Sequence, residues 1–210
     1  MSSTQQVTIP PLGLPGILSL PETPSGIVLF AHGSGSSRLS PRNGFVAERL
    51  GEAGLGTLLF DLLTETEATD RENVFDIPLL SERLLDATRW ARNFGATRSL
   101  PIGYFGASTG AAAALVAASR AGTDVAAVVS RGGRPDLAGA ALPEVKAPTL
   151  LIVGGRDTEV LRLNRIALAE LTCEAKLEIV PGATHLFEEP GTLHTVVKLA
   201  RDWFTGHLAG

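Results

Sequence analysis

Two patterns of apolar residues alternate along this chain of 210 residues. Short runs that are apolar at nearly every position, such as GIVLFAH and TLLIVG, are typical of strands buried on both faces of a parallel sheet. Between these runs, apolar residues recur every three or four positions, which is the period of a helix with one buried face. The alternation predicts an α/β fold with a mostly parallel central sheet and helices on both faces.

The pattern also places the elements approximately. Strands are predicted at residues 26–32, 55–61, 101–107, 125–130, 149–154 and 176–180. The proline-containing N-terminal stretch, residues 7–20, can supply only an edge hairpin. Ser40-Pro41 and Pro78 are typical helix starts, and Leu193 to Phe204 carry the apolar stripe of a last helix. The acidic segment 62–76 is predicted to be irregular, either a mobile loop or simply a solvated one.

Composition narrows the class of protein. With 44% hydrophobic and 19% charged residues the chain is globular, and its length favours a single domain over residues 1–210. A net charge of −4 leaves no basic surface for nucleic acid or for an anionic membrane. Small neutral or modestly anionic partners remain open, and we expect a small-molecule substrate.

The single cysteine and the N-terminus give an expectation about location. Cys173 has no second cysteine with which to form an internal disulfide. The N-terminal residues lack a basic segment followed by an apolar one, and no run approaches the ~20 apolar residues of a membrane span. These features favour a cytoplasmic protein that does not enter a membrane.

A serine between two glycines is the first candidate for chemistry. Residues 106–110, GASTG, fit the pattern G-x-S-x-G and lie between a predicted strand and an alanine-rich helix. In that context the glycines allow a sharp, strained turn that projects the serine from the top of the sheet. Ser108 is thus a candidate nucleophile, and the alternative is an inert serine in a tight turn.

An acid and a histidine follow in the order that a serine nucleophile of this kind requires. Asp157 comes just after the strand at 149–154, and His185 follows the strand at 176–180. Both therefore emerge at the sheet edge that carries Ser108, with His185 as general base and Asp157 orienting its ring. The alternatives are a helix N-cap for Asp157 and an ordinary loop residue for His185, and Asp136 is a rival acid.

A glycine-rich loop supplies candidate oxyanion donors. Residues 31–37, AHGSGSS, follow the strand at 26–32, and the backbone N–H groups of Ser34 and Thr109 are predicted to hold a developing oxyanion. No complete G-x-G-x-x-G or phosphate-binding loop is present, which argues against a nucleotide. His32 is expected to hold this loop in place.

With these residues the chain resembles the serine α/β-hydrolases, and in particular the small members without a cap domain that are similar to dienelactone hydrolase. The resemblance runs from His32-Gly33 through Ser108 and Asp157 to His185, and segments SRGGRPDLAG and VPGATHLFEEPG share it. Some such bacterial proteins are fused to a phosphoribosyltransferase domain, which we do not expect within these residues. Dienelactone hydrolases proper use cysteine where this chain has Ser108, and the resemblance therefore implies ordinary carboxylic esters as substrates.

Two arginines at the same rim are further candidates. Arg131 and Arg134 follow the strand at 125–130 and are candidates for binding a substrate carboxylate, the alternative being solvated or ion-paired side chains. Without a cluster of histidines and cysteines we expect no metal site and no cofactor.

The sequence therefore predicts a serine esterase that cleaves small esters through an acyl-enzyme. Lactone hydrolysis and acyl transfer at the same site are related alternatives, and a non-catalytic binding scaffold is the alternative from another class. Activity should fall below about pH 6 to 7, because a protonated His185 cannot accept a proton. Little sequence between residues 130 and 149 is free to form a lid, so an open site is expected. The sequence does not indicate an oligomeric state.

Overall fold

The computed structural model describes residues 3–208, apart from the side chain of Thr123. The ends of the predicted 1–210 domain, residues 1–2 and 209–210, lie outside the described residues. The strands are β1 (Ser3–Ile9), β2 (Leu14–Leu20), β3 (Gly26–Ala31), β4 (Leu55–Phe60), β5 (Ile102–Ala107), β6 (Val125–Arg131), β7 (Thr149–Gly154) and β8 (Ala175–Val180). The α-helices are α1 (Pro41–Glu52), α2 (Arg71–Phe75), α3 (Ile77–Asn93), α4 (Thr109–Ala121), α5 (Thr158–Glu170) and α6 (Thr192–Leu208).

The strands form one eight-stranded sheet in the order β1-β2-β4-β3-β5-β6-β7-β8. From β4 to β8 neighbouring strands are parallel, while β1 and β2 form an antiparallel hairpin that joins the sheet against β4. The predicted α/β fold is confirmed, and each predicted parallel strand lies within one residue of its observed ends. The carboxyl ends of β3 to β8 consequently share one rim.

The core lies on both faces of this sheet. In β3 every residue is buried, with Ile27 and Leu29 packing toward one helical layer and Val28 and Phe30 toward the other. The first layer contains α3 and α4, and the second contains α1 and α6. This double burial is the reason that the strands read as continuous apolar runs.

The segment 62–76 differs from its prediction. It contains a 3-10 turn (Glu67–Thr69) and the short helix α2, whose first turn is capped where Glu72 N–H donates to the Asp70 carboxylate at 2.9 Å. Glu67 also pairs with Arg83 of α3 at 2.7 Å. The prediction of an irregular segment is wrong, because side chains that look merely solvated in the sequence cap turns and pair with α3.

None of the helices within residues 3–208 combines the length and apolar character that a bilayer-spanning helix needs.

Candidate active site

Ser108 occupies a strained position between β5 and α4. Its backbone has φ 52° and ψ −120°, a conformation that residues with a Cβ rarely adopt. Two backbone hydrogen bonds hold it there, since Ser108 N–H donates to the Arg131 carbonyl at 3.3 Å and Arg134 N–H donates to the Ser108 carbonyl at 3.1 Å. The turn after β6 therefore holds the serine in place.

The glycines on either side of Ser108 permit close backbone contacts. A Cβ on Gly106 would lie 2.4 Å from the Ala111 Cα, and one on Gly110 would lie 2.1 Å from the Ala31 carbonyl oxygen. Atoms do not approach so closely, so any side chain at either position would push α4 away from β3 and β5. The two glycines of the G-x-S-x-G pattern thus allow α4 to start directly against the sheet.

Asp157 and His185 are brought together at the ends of β7 and β8. His185 Nδ1–H donates to Asp157 Oδ2 at 2.6 Å, and the Asp157 side chain is only 15% exposed. Asp157 occupies the N-cap position of α5, but its side chain makes no capping bond. Asp136 instead accepts two hydrogen bonds from Arg134, at 2.9 and 2.8 Å. Of the two candidate acids, Asp157 is the one bonded to the histidine.

The turn after β6 lies next to both His185 and Ser108. A Cβ added to Gly132 would lie 3.1 Å from the His185 carbonyl oxygen and 3.6 Å from its Nδ1. In the part of the chain that the structure describes, no hydrogen bond joins the Ser108 hydroxyl to the His185 ring. Such bonds are often long before substrate binds. The turn after β6 thus contacts both residues, and the bond between His185 and Asp157 is the one that is formed.

The loop that carries Ser34, one predicted oxyanion donor, packs beside Ser108. A Cβ on Gly33 would lie 3.1 Å from the Ser108 Cβ, which shows how closely the loop after β3 packs against the serine. Ser34 N–H donates to the Thr109 hydroxyl at 3.0 Å. Thr109 is the first residue of α4, so its own N–H has no partner within the helix. Ser34 N–H is thus bonded to the side chain of the residue that carries the second predicted donor.

His32 holds the loop, as expected. Its Nδ1–H donates to the Gly33 carbonyl at 3.0 Å, and its Nε2 accepts from Leu62 N–H at 3.1 Å. These two bonds require the neutral ring. Burial lowers the pKa of His32, while the Gly33 carbonyl and the Asp61 carboxylate oppose that shift.

The structure does not favour a carboxylate clamp at Arg131 or Arg134. Arg134 is paired with Asp136. Arg131 is buried, contacts Asn43 Oδ1 at 3.4 Å, and lies 6.0 Å from the centre of the Phe187 ring. Burial, together with the nearby Arg42 charge, lowers the pKa of Arg131 to about 10. Arg134 is thus occupied by Asp136, and Arg131 is packed against the segment that follows His185.

A cavity of about 470 Å³ beside the glycine-rich loop is the feature that sequence reasoning missed. Its walls are residues 32–38 and part of the 62–76 segment, and its apolar lining consists of Pro15, Leu62, Leu63, Ala68, Val74 and Leu80. The pair Leu62-Leu63 and the isolated Val74, apolar residues within an acidic run, were the features of the sequence that could have indicated this cavity. An acidic loop without a structural role has no need of buried leucines, and both are buried here.

The structure does not favour a second reactive centre at Cys173. Burial raises the pKa of the Cys173 thiol, whose Sγ lies 3.9 Å from the Thr149 hydroxyl, and this disfavours a reactive thiolate. Within residues 3–208, no group of three or more histidine, cysteine or acidic side chains is placed to hold a metal ion.

The sheet order and the strained serine between β5 and α4 define the class of protein, which is the α/β-hydrolase fold. The chain belongs to the dienelactone hydrolase family, whose sequence profile matches residues 14–202. It is similar to the crystal structure of dienelactone hydrolase from Anabaena variabilis, with a TM-score of 0.95 and 54% identity over 99% of this chain and 98% of that one. Est1E from Butyrivibrio proteoclasticus shares the fold, with a TM-score of 0.82 at 16% identity over 98% of this chain and 99% of that one.

Curated relatives from two strains of Mycobacterium tuberculosis are 62% identical over 205 residues. Their names propose a phosphoribosyl transferase. The alignment covers 98% of this chain and 46% of each relative, so the chain spans about half of their length.

Proposed function

We propose that this chain hydrolyses small carboxylic esters through an acyl-enzyme on Ser108. The observation that carries the proposal is the 2.6 Å bond between Asp157 and His185, formed beside the turn that holds the strained serine. A serine hydroxyl is a weak nucleophile at neutral pH and needs an oriented base. Here the acid fixes Nδ1–H of the ring and leaves Nε2 free to accept a proton.

The reaction would then run in two halves. Ser108 Oγ attacks the ester carbonyl carbon while His185 Nε2 takes the hydroxyl proton, and the same proton passes to the alcohol oxygen as the carbon–oxygen bond of the ester breaks. Water, deprotonated by His185, attacks the acyl-enzyme, and the proton returns to Ser108 as the acid leaves. Throughout, Asp157 stabilises the imidazolium that forms.

The negative charge on the carbonyl oxygen would be held by two backbone donors. In this proposal the oxygen replaces the Thr109 hydroxyl as acceptor of Ser34 N–H and takes Thr109 N–H as its second donor. The start of α4 adds the positive end of its dipole at the same place. Donors fixed in advance in this way cost no reorganisation during the reaction.

The transferase name of the mycobacterial relatives applies to proteins of which this chain spans 46%. Within the shared segment, the paired acid and histidine favour hydrolysis. No phosphate-binding sequence motif accompanies them.

Ser108→Ala tests the proposal against turnover of p-nitrophenyl acetate, a short neutral ester. We expect the variant to lose at least about 1,000-fold in kcat/KM, since the nucleophile is gone while the oxyanion donors remain. Ser119→Ala is the matched control, because Ser119 lies at the far end of α4 and donates only to the Val116 carbonyl. It should retain wild-type rates.

A fluorophosphonate probe separates enzyme from scaffold. Modification of the wild-type chain at Ser108, and none of the Ser108→Ala variant, would support the acyl-enzyme. A wild-type chain that neither reacts with the probe nor hydrolyses esters would instead support a non-catalytic binding protein.

A further inference from the structure

The cavity of about 470 Å³ lies to one side of Ser108. It is built from the loops that follow β3 and β4, and in the sheet these strands lie on one side of β5. Asp157 and His185 follow β7 and β8, on the other side. Gly33, one of the lining residues, is also the residue that packs against Ser108. The cavity is therefore adjacent to the serine and faces away from the histidine.

This arrangement selects which half of an ester enters the cavity, given the proposed function on which the inference rests. The alcohol oxygen must receive its proton from His185, so the alcohol has to lie on the side of β7 and β8. The carbonyl oxygen lies between Ser34 and Thr109. The remaining substituent, the acyl chain, is left to the side of β3 and β4. The volume of the cavity falls in the range of small-molecule sites, and much of its lining is apolar.

The charges in the cavity wall then set the acyl chains it accepts. Arg38 is the one cation among the described lining residues, while Asp61 and Glu65 contribute two carboxylates. Asp61 accepts from Arg38 N–H at 2.6 Å and also from the Arg38 guanidinium. His32 is held neutral by its two hydrogen bonds. The positive charge of Arg38 is thus neutralised by Asp61, and the remaining charge in the cavity wall, that of Glu65, is negative.

We propose that this cavity is an acyl site for uncharged chains, and that Asp61 determines this specificity by occupying Arg38. A substrate whose acyl chain ends in a carboxylate would enter a partly desolvated site without a free cation to pair with, which is costly. The substrate class is then esters of neutral acids.

A matched pair of esters tests this on the wild-type protein. In p-nitrophenyl hydrogen adipate the acyl chain ends in a carboxylate, and in its methyl ester that carboxylate is capped. We expect kcat/KM for the capped ester to exceed that for the carboxylate by roughly 100-fold, since a buried unpaired charge is strongly disfavoured. Equal rates, or a preference for the carboxylate, would overturn the inference.

Asp61→Asn tests the assigned residue. The amide keeps an acceptor for Arg38 N–H but no longer cancels the guanidinium, which becomes free for a bidentate bond to the substrate. The preference for the capped ester should fall by about 10-fold or more. Asp202→Asn is the control, because it removes the same charge from an aspartate of α6 that is exposed and paired with Lys198 and Arg201. An equal effect in both variants would assign the preference to net charge and overturn the role of Asp61.

Two further variants keep the test decisive if Asp61→Asn does not fold. Glu65→Gln, at an exposed position, should lower the same preference, by a smaller factor than Asp61→Asn. Val74→Trp should narrow the cavity and lower kcat/KM for a hexanoyl ester relative to an acetyl ester. An unchanged hexanoyl-to-acetyl ratio would overturn the acyl placement. If wild-type protein hydrolyses none of these esters, the proposed function fails; if it hydrolyses them with the wrong charge preference, the inference alone fails.

Discussion

At the scale of single residues, the chemistry of the candidate site depends on which charged side chains are already paired. The serine between glycines, the acid after β7 and the histidine after β8 can each be proposed as candidates from their neighbours in the sequence. The partners of charged side chains cannot be predicted in that way. Arg134 stands two positions from Asp136 and pairs with it, whereas Arg38 pairs with Asp61, 23 positions away. Free and paired arginines look the same in a sequence, so only the structure shows that Arg134 is occupied.

The assignment of the acid is testable at this scale. Asp157→Asn should lower kcat by roughly 10⁴-fold with little change in fold, because an amide supports the wrong tautomer of His185 and does not stabilise its charged form. Steady-state kinetics and a thermal melt of the same preparation give the two readouts. The kcat of Asp136→Asn is expected to stay within several-fold of the wild-type value. If Asp136→Asn loses activity while Asp157→Asn remains active, the acid is wrongly assigned.

At the scale of elements, capping residues and glycines decide how helices meet the sheet. Ser40 caps α1 as predicted, with Asn43 N–H donating to its hydroxyl at 3.3 Å. The segment 62–76 is largely exposed, but the prediction that it is irregular is wrong, because its acidic side chains cap turns and helices. In the structure Asp70 and Asp76 cap α2 and α3, and the leucines of the same segment line the cavity.

The close contact between α4 and β3 gives a prediction for stability. In Gly110→Ala the new Cβ would meet two backbone carbonyl oxygens, 2.1 Å away at Ala31 and 2.5 Å away at His32. Backbone cannot move as a flexible side chain does, so we expect a loss of about 3 kcal/mol or more in the free energy of unfolding. Urea denaturation measures it.

Gly44→Ala is the matched control for that measurement. Gly44 lies within α1, and a Cβ there meets nothing within 4 Å. It should raise the free energy of unfolding by about 0.5 to 1 kcal/mol, because alanine loses less backbone freedom in a helix. Similar destabilisation by both substitutions would contradict the close-contact account of Gly110.

At the scale of the whole molecule, the partly buried His32 links the pH dependence of folding stability to the contact between two loops. His32 joins the loop after β3 to Leu62 after β4, and burial lowers its pKa. The unfolded chain therefore binds a proton on this residue at a higher pH than the folded chain does. The contribution of His32 to the free energy of unfolding is fully present above about pH 6.5. It declines as the pH falls below that value toward the lowered pKa of the folded state.

His32→Gln should make stability less dependent on pH. The variant loses part of the loop anchor and is expected to be less stable at pH 7.5, but its urea midpoint should change less between pH 7.5 and pH 5 than that of the wild type. An unchanged pH slope would show that other groups carry the acid sensitivity. Because this experiment monitors unfolding, it is independent of any change in activity.

By itself, the sequence determined the α/β fold, the strand positions, and Ser108, Asp157 and His185 as candidates. These follow from local rules, since strand and helix periods, turn glycines and strand ends each concern a few consecutive residues. The tertiary structure decided which acid meets the histidine, 28 positions away, and that Ser34 meets Thr109 across 75 positions. It also decided that Arg38 is cancelled and that an acidic segment walls a cavity. Such pairings depend on which strands become neighbours, and a distance between atoms exists only once the whole sheet has formed.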